Sequence, residues 1–174
     1  MKRVVIILTS VIILASCTVS REGGISLREQ RKERKLAEQE MIKKAVEKKR
    51  FIVKLERFYP AHGGIINLYP KYNYIVVDGE KAIINAAYFG RQYDLQPIAG
   101  FNMKGRTISY EADPDYERGL YEITMQVSNE RNSFNVDLKI GSDGNCTASI
   151  TNAKTDFVRY RGYIVPIKDK GVDM

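Results

Sequence analysis

The sequence predicts a mainly β domain behind one N-terminal α-helix, its strands forming an antiparallel up-and-down meander that closes into a barrel. A two-sheet β-sandwich is the alternative. Three observations point this way. First, past residue 50 the apolar pattern takes a period of two. Tyr121, Ile123, Met125 and Val127 alternate with polar neighbours, as do Phe134, Val136, Leu138 and Ile140, and then Cys146, Ala148 and Ile150. That is the pattern of strands with one wet face. Second, turn residues separate the runs: Asp78-Gly79, Asp113-Pro114-Asp115 and Ser142-Asp143-Gly144-Asn145. Third, residues 26–50 contain no Gly or Pro and are dominated by strong helix formers.

Composition bounds the rest. The chain has 174 residues, 44% hydrophobic and 28% charged, which suits one folded domain plus an extension and excludes wholesale disorder. Two cysteines and one histidine exclude a disulfide-rich scaffold and a histidine-rich metal site.

In chain order, Met1-Lys2-Arg3 and the apolar run from Val4 to Leu14 have the layout of a secretory signal, too short for a stable membrane-spanning helix. Leu14-Ala15-Ser16-Cys17 looks like a bacterial lipobox. Residues 1–16 then form a cleaved lipoprotein signal peptide, and Cys17 is the lipidation site. Its acyl chains anchor the protein to a membrane. Thr18 stands where an inner-membrane retention signal has Asp, which points to the outer membrane. No acidic cluster follows Cys17, which favours the periplasmic face. Residues 17–25, with Gly23-Gly24, read as a lipidated flexible tether.

Residues 26–50 read as a basic helical stalk. Ser26 and Glu29 are spaced as a capping box, and Glu40 and Lys44 as an i,i+4 pair. Apolar residues thicken late, at Met41, Ile42, Ala45 and Val46, so the last turns have a face that can dock. This segment holds ten Lys/Arg against five Glu, whereas residues 51–174 hold fifteen of each sign. The excess could meet anionic headgroups; the plainer reading is a solvated stalk. Nucleic acid is not an expected partner, because the β domain carries no basic excess.

Residues 51–174 read as the antiparallel β domain. Besides the three alternating runs, strands are expected at Phe51–Phe58, Ile65–Tyr69, Tyr74–Val77, Lys81–Phe89, Phe101–Tyr110 and Val158–Ile167, nine in all. Such a meander hides its edges by closing or by packing two sheets. Short hairpins favour a lipocalin-like barrel, with the helix plugging an end or covering an edge.

No set of residues reads as catalytic. His62, before Gly63-Gly64, is a loop histidine without partners for a triad or metal site. Cys146 falls on an apolar phase and reads as a buried structural thiol. Glu111, Asp113, Asp115 and Glu117 alternate across an expected turn, but their spacing fails the Ca²⁺-loop pattern. No cofactor or metal is expected. The aromatic residues remain: Tyr69, Tyr72 and Tyr74 cluster, as do Tyr88, Phe89, Arg91 and Tyr93. They are candidates for ligand or partner contact, since Tyr joins an apolar ring to a hydrogen-bonding tip. The plainer reading is that they pack the barrel core and its rim, since small barrels are filled by their own side chains.

Phe51 through Tyr59-Pro60, Asp78-Gly79-Glu80, Tyr88-Phe89-Gly90-Arg91-Gln92-Tyr93 and Gly162-Tyr163-Ile164 together resemble a lipoprotein family of Bacteroides-type bacteria, catalogued as domain of unknown function 4251. The resemblance covers about residues 51–167. In the family the Tyr-Phe-Gly-Arg stretch usually continues Ala-Tyr; here Gln92 replaces Ala. Family members often carry a Gly-rich segment next, where this chain has Asp94-Leu95-Gln96-Pro97-Ile98-Ala99-Gly100. The resemblance implies an exported lipoprotein with a lipocalin-like β fold, and no established activity or ligand.

The expected function is therefore a membrane-tethered periplasmic lipoprotein acting as a non-enzymatic binding module for a small apolar ligand, lipid or peptide. The alternative is a structural envelope protein that works through protein contacts around a filled barrel. A carboxylate-based hydrolase is a third reading.

Overall fold

The computed structural model describes residues 26–60, 63–89 and 100–168. The chain divides into two units, one ending at Glu33 and one beginning at Arg34. In the first, Ser26 and Glu29 form the expected capping box at the start of helix α1 (Leu27–Glu47). The Glu29 N–H donates to Ser26 Oγ at 3.2 Å, and the Ser26 N–H donates to Glu29 Oε2 at 3.0 Å. Among the described residues, no helix is long and apolar enough to cross a membrane.

The second unit holds the rest of α1 and nine strands: β1 (Arg50–Tyr59), β2 (Ile66–Asn67), β3 (Tyr74–Asp78), β4 (Lys81–Ala87), β5 (Gly100–Asp115), β6 (Leu120–Ser128), β7 (Ser133–Gly141), β8 (Asn145–Asn152) and β9 (Thr155–Pro166). Successive strands from β3 to β9 pair antiparallel, and β1 pairs with both β3 and β9. Eight strands therefore close on themselves, and the two-residue β2 adds to β1 at Arg57 and Phe58. The β1–β9 seam is what selects a barrel over a sandwich, because no long edge stays unpaired.

Alternation delivers the core. Val127, Met125 and Ile123 on β6 stand opposite Phe134, Val136 and Leu138 on β7, all buried. Two bulges reset the phase where strict alternation fails. In β1 the register shifts between Leu55 and Arg57, so Phe51, Val53 and Leu55 point inward and then Phe58 does. In β5 it shifts between Thr107 and Ser109, which leaves Ile108 exposed and brings Tyr110 inward, where its phenol donates to the Val46 carbonyl at 3.0 Å.

That carbonyl belongs to the last turn of α1, whose acceptors lack partners within the helix. Ile42, Ala45 and Val46, the expected docking face, are buried and join the barrel core. Gln39 donates to Ser142 in the β7–β8 turn at 3.4 Å. Two residues past the end of α1, Lys49 takes the left-handed region with φ 54°, which turns the chain out of the helix. The last turns of α1 therefore close one end of the barrel. The expected Glu40–Lys44 pair forms at 3.3 Å, but both side chains are exposed, so it adds little.

Three expectations change. Asp113-Pro114-Asp115 is not a turn but the end of the 16-residue β5; the chain reverses over residues 116–119, where Gly119 takes φ +61°. The Ile65–Tyr69 strand shrinks to two residues, because the Tyr69 carbonyl accepts from the N–H groups of Tyr72 and Asn73 in a turn. The Lys81–Phe89 strand stops at Ala87.

Candidate functional site

The aromatic residues singled out from the sequence divide between inside and outside. Tyr88 is buried, with its ring 4.9 Å from that of Phe101, and Phe101 meets Phe134 at 5.2 Å. Its hydroxyl accepts the Asp156 N–H at 3.1 Å. Burial pushes the Tyr88 phenol above its usual range, against the lowering effect of that N–H. Beside it, the fully buried Tyr160 donates its hydroxyl to the Ala87 carbonyl at 2.9 Å and packs edge-on against Phe58 at 5.3 Å. Phe89 is 53% exposed and lies edge-on to the other side of that cluster, 5.5 Å from Phe58. Of these rings, Phe58, Tyr88, Phe101, Phe134 and Tyr160 are buried and fill part of the barrel.

Tyr69 and Tyr72 are 77% and 62% exposed, in the segment between β2 and β3. Asn73 fixes that segment. Its side-chain amide donates to the Tyr69 carbonyl at 3.0 Å, and its side-chain oxygen accepts the Ala87 N–H at 2.7 Å. Tyr72 then borders a shallow groove of about 340 Å³ with Asn85 and Asn102. Tyr74 sits on β3 and faces outward, with the Lys54 ammonium 5.2 Å from its ring centre. Arg91 and Tyr93, like Cys17 and His62, lie outside the described residues. The structure thus buries Tyr88, leaves Phe89 half exposed, and sets Tyr69 and Tyr72 in the exposed segment before β3 with Tyr74 on the outer wall.

The two other singled-out groups are plain. Cys146 is buried, and burial pushes its thiol up to about 12, so the neutral thiol prevails and it is a poor nucleophile. Glu111 and Asp113 are exposed on β5, while Asp115 pairs with Arg118 at 3.6 Å. Among the described residues no three His, Cys, Asp or Glu side chains gather into a metal-holding group.

Sequence reasoning missed one group. Arg57 on β1 stands directly opposite Arg161 on β9, and Arg159 follows two positions away on the same face. They line two adjoining grooves on the outer wall, of about 330 and 500 Å³, which share Thr147 and Arg161. The sequence separates Arg57 from Arg161 by 104 positions. Its only visible signal is the Arg159/Arg161 spacing of two.

Comparison with known proteins agrees with the fold. A family model described as domain of unknown function (DUF4251) matches residues 33–164. The crystal structure of a DUF4251 family protein from Bacteroides eggerthii superposes with a TM-score of 0.63 at 16% sequence identity, over 75% of this chain and 88% of that one. No curated protein matches the chain.

Proposed function

The chain belongs to the DUF4251 family of unknown function, and from that premise we propose that it is a membrane-tethered envelope lipoprotein whose barrel is a non-enzymatic binding module working through its outer wall. One observation carries this reading. The barrel interior is occupied by the protein's own side chains: Phe51, Leu55, Phe58, Ile84, Leu138 and Tyr160 are all buried to within 1%. A lipocalin-type binder keeps that space for its ligand, whereas small filled barrels serve as scaffolds. The grooves of appreciable volume described above lie on the wall and its rim. This favours contacts made outside over a small apolar ligand held within.

Overpacking tests the carrying observation. Ala148 is fully buried on β8. In a filled interior Ala148→Leu has no room and should lower stability by about 1–3 kcal/mol, read by urea unfolding. Unchanged or increased stability would mean vacant space inside, and would return the reading to a ligand-holding barrel.

The tether rests on the charge, length and small residues of positions 1–16 and on Cys17. Outer-membrane placement on the periplasmic side rests on Thr18 and the absence of an acidic cluster after it. Cys17→Ser should move the processed protein from the membrane fraction to the soluble fraction. A Cys17→Ser protein that is normally processed yet stays with the membrane would contradict lipid anchoring.

A further inference from the structure

We infer that the outer wall of β1, β9, β8 and β7 is a binding groove for an acidic glycan, a sugar chain carrying phosphate or carboxylate groups, held by Arg57, Arg159 and Arg161. The inference rests on reading the exterior as the working surface. One row across the wall runs Arg57, Arg161, Thr147 and Lys139; the next runs Tyr59, Arg159, Ser149 and Asp137. The intervening residues Phe58, Tyr160, Ala148 and Leu138 are buried, so these rows face outward.

Like charges directly opposite each other on neighbouring strands are destabilising. Folding alone gives no reason to set Arg57 against Arg161 and to place Arg159 beside them. Lys139 gives its charge to Glu122 at 2.7 Å, and Arg159 lies over the Phe157 ring at 5.8 Å. Among the described residues, no ion pair joins Arg57, Arg159 or Arg161 to a carboxylate. The domain's balanced charge total conceals this local concentration.

The chemistry of the lining names the ligand class. Guanidinium forks bind phosphate and carboxylate oxygens in pairs. Thr147 and Ser149, with Tyr59, add hydroxyl groups and one ring, which suit sugar hydroxyls and a sugar face. The two rows are about 6.6 Å apart along β9, and four strands span about 14 Å. The space therefore exceeds a lone anion, and each groove falls within the usual range for ligand sites. Glu56 and Asp137 also line the grooves. They would repel a continuous anionic surface but can sit between spaced anionic groups, which favours a glycan over a membrane face.

The test is calorimetric titration of the full-length protein in nonionic detergent at low salt. The probes are tetragalacturonate and mannose 6-phosphate, with neutral maltotetraose, inorganic phosphate and phosphatidylglycerol vesicles as controls. At least one acidic sugar should bind saturably, weaken as salt is raised, and lose at least tenfold in affinity in R57Q/R161Q and in Arg159→Gln. Maltotetraose should not bind, and inorganic phosphate should bind more weakly than the acidic sugar. The thermal midpoint of R57Q/R161Q should equal or exceed the parent's, since a repulsion has been removed; a fall would assign the arginines to the fold and overturn the inference. So would no binding of either acidic sugar, equal binding by the variants, binding of phosphate alone as tightly as sugar, or arginine-dependent binding of vesicles only. None of these outcomes touches the filled interior, whose failure appears instead as an apolar molecule bound inside the barrel.

Discussion

Gly162→Ala should weaken the barrel by about 3 kcal/mol or more, the upper end for forcing extra atoms into a packed site. Gly162 stands on β9 opposite Leu55 of β1 and Cys146 of β8. A Cβ there would overlap the Lys54 carbonyl oxygen and lie 2.8 Å from the Lys54 carbonyl carbon and 3.0 Å from Leu55 Cα. All three are backbone atoms beside the β1 bulge, so no rotamer change relieves the contact. The β1–β9 pairing is also the seam that closes the sheet. In a chain of this size the loss corresponds to a fall of about 10 °C in the thermal midpoint, read by circular dichroism. A midpoint within 2 °C of the parent would show that the seam relaxes freely and that closure is not tight there.

Tyr160→Ala should be as severe, at about 3–5 kcal/mol. It removes the largest fully buried side chain, its contact with Phe58 and the hydroxyl that satisfies the Ala87 carbonyl. Tyr160→Phe keeps the ring and loses only the hydrogen bond, so about 0.5–1.5 kcal/mol should go. The gap between the two substitutions, measured by urea unfolding, isolates packing from hydrogen bonding. Near-equal small losses would mean that the ring fills no tightly packed space.

Much of this architecture was legible because it is local. The alternating runs became β6, β7 and β8 because each buries one face against its neighbour. Asp78-Gly79 made the β3–β4 turn, with Gly79 at φ +63°, since a tight hairpin needs that conformation. Ser26 and Glu29 capped α1 for equally local reasons. Bulges were not legible. The steps at Glu56 and Ile108 break the period of two, and nothing in their side chains announces it. Pro114 hid the length of β5 by resembling a turn residue, though it sits near a strand end where the residues are not deeply buried. Barrel closure depends on pairing residues 51–59 with 159–166, which no short-range pattern encodes. The same pairing assembles Arg57 with Arg159 and Arg161. The aromatic clusters were visible, but which rings face inward depended on register: Tyr88 turned in to fill the core, while Tyr74 turned out.

In the proposed function this barrel is full and binds outside itself. Native mass spectrometry of the protein purified from its own membranes, repeated in a second nonionic detergent, tests it most directly. No tightly held apolar adduct should appear in either detergent. A one-to-one apolar molecule that survives the exchange and is lost on unfolding would contradict it.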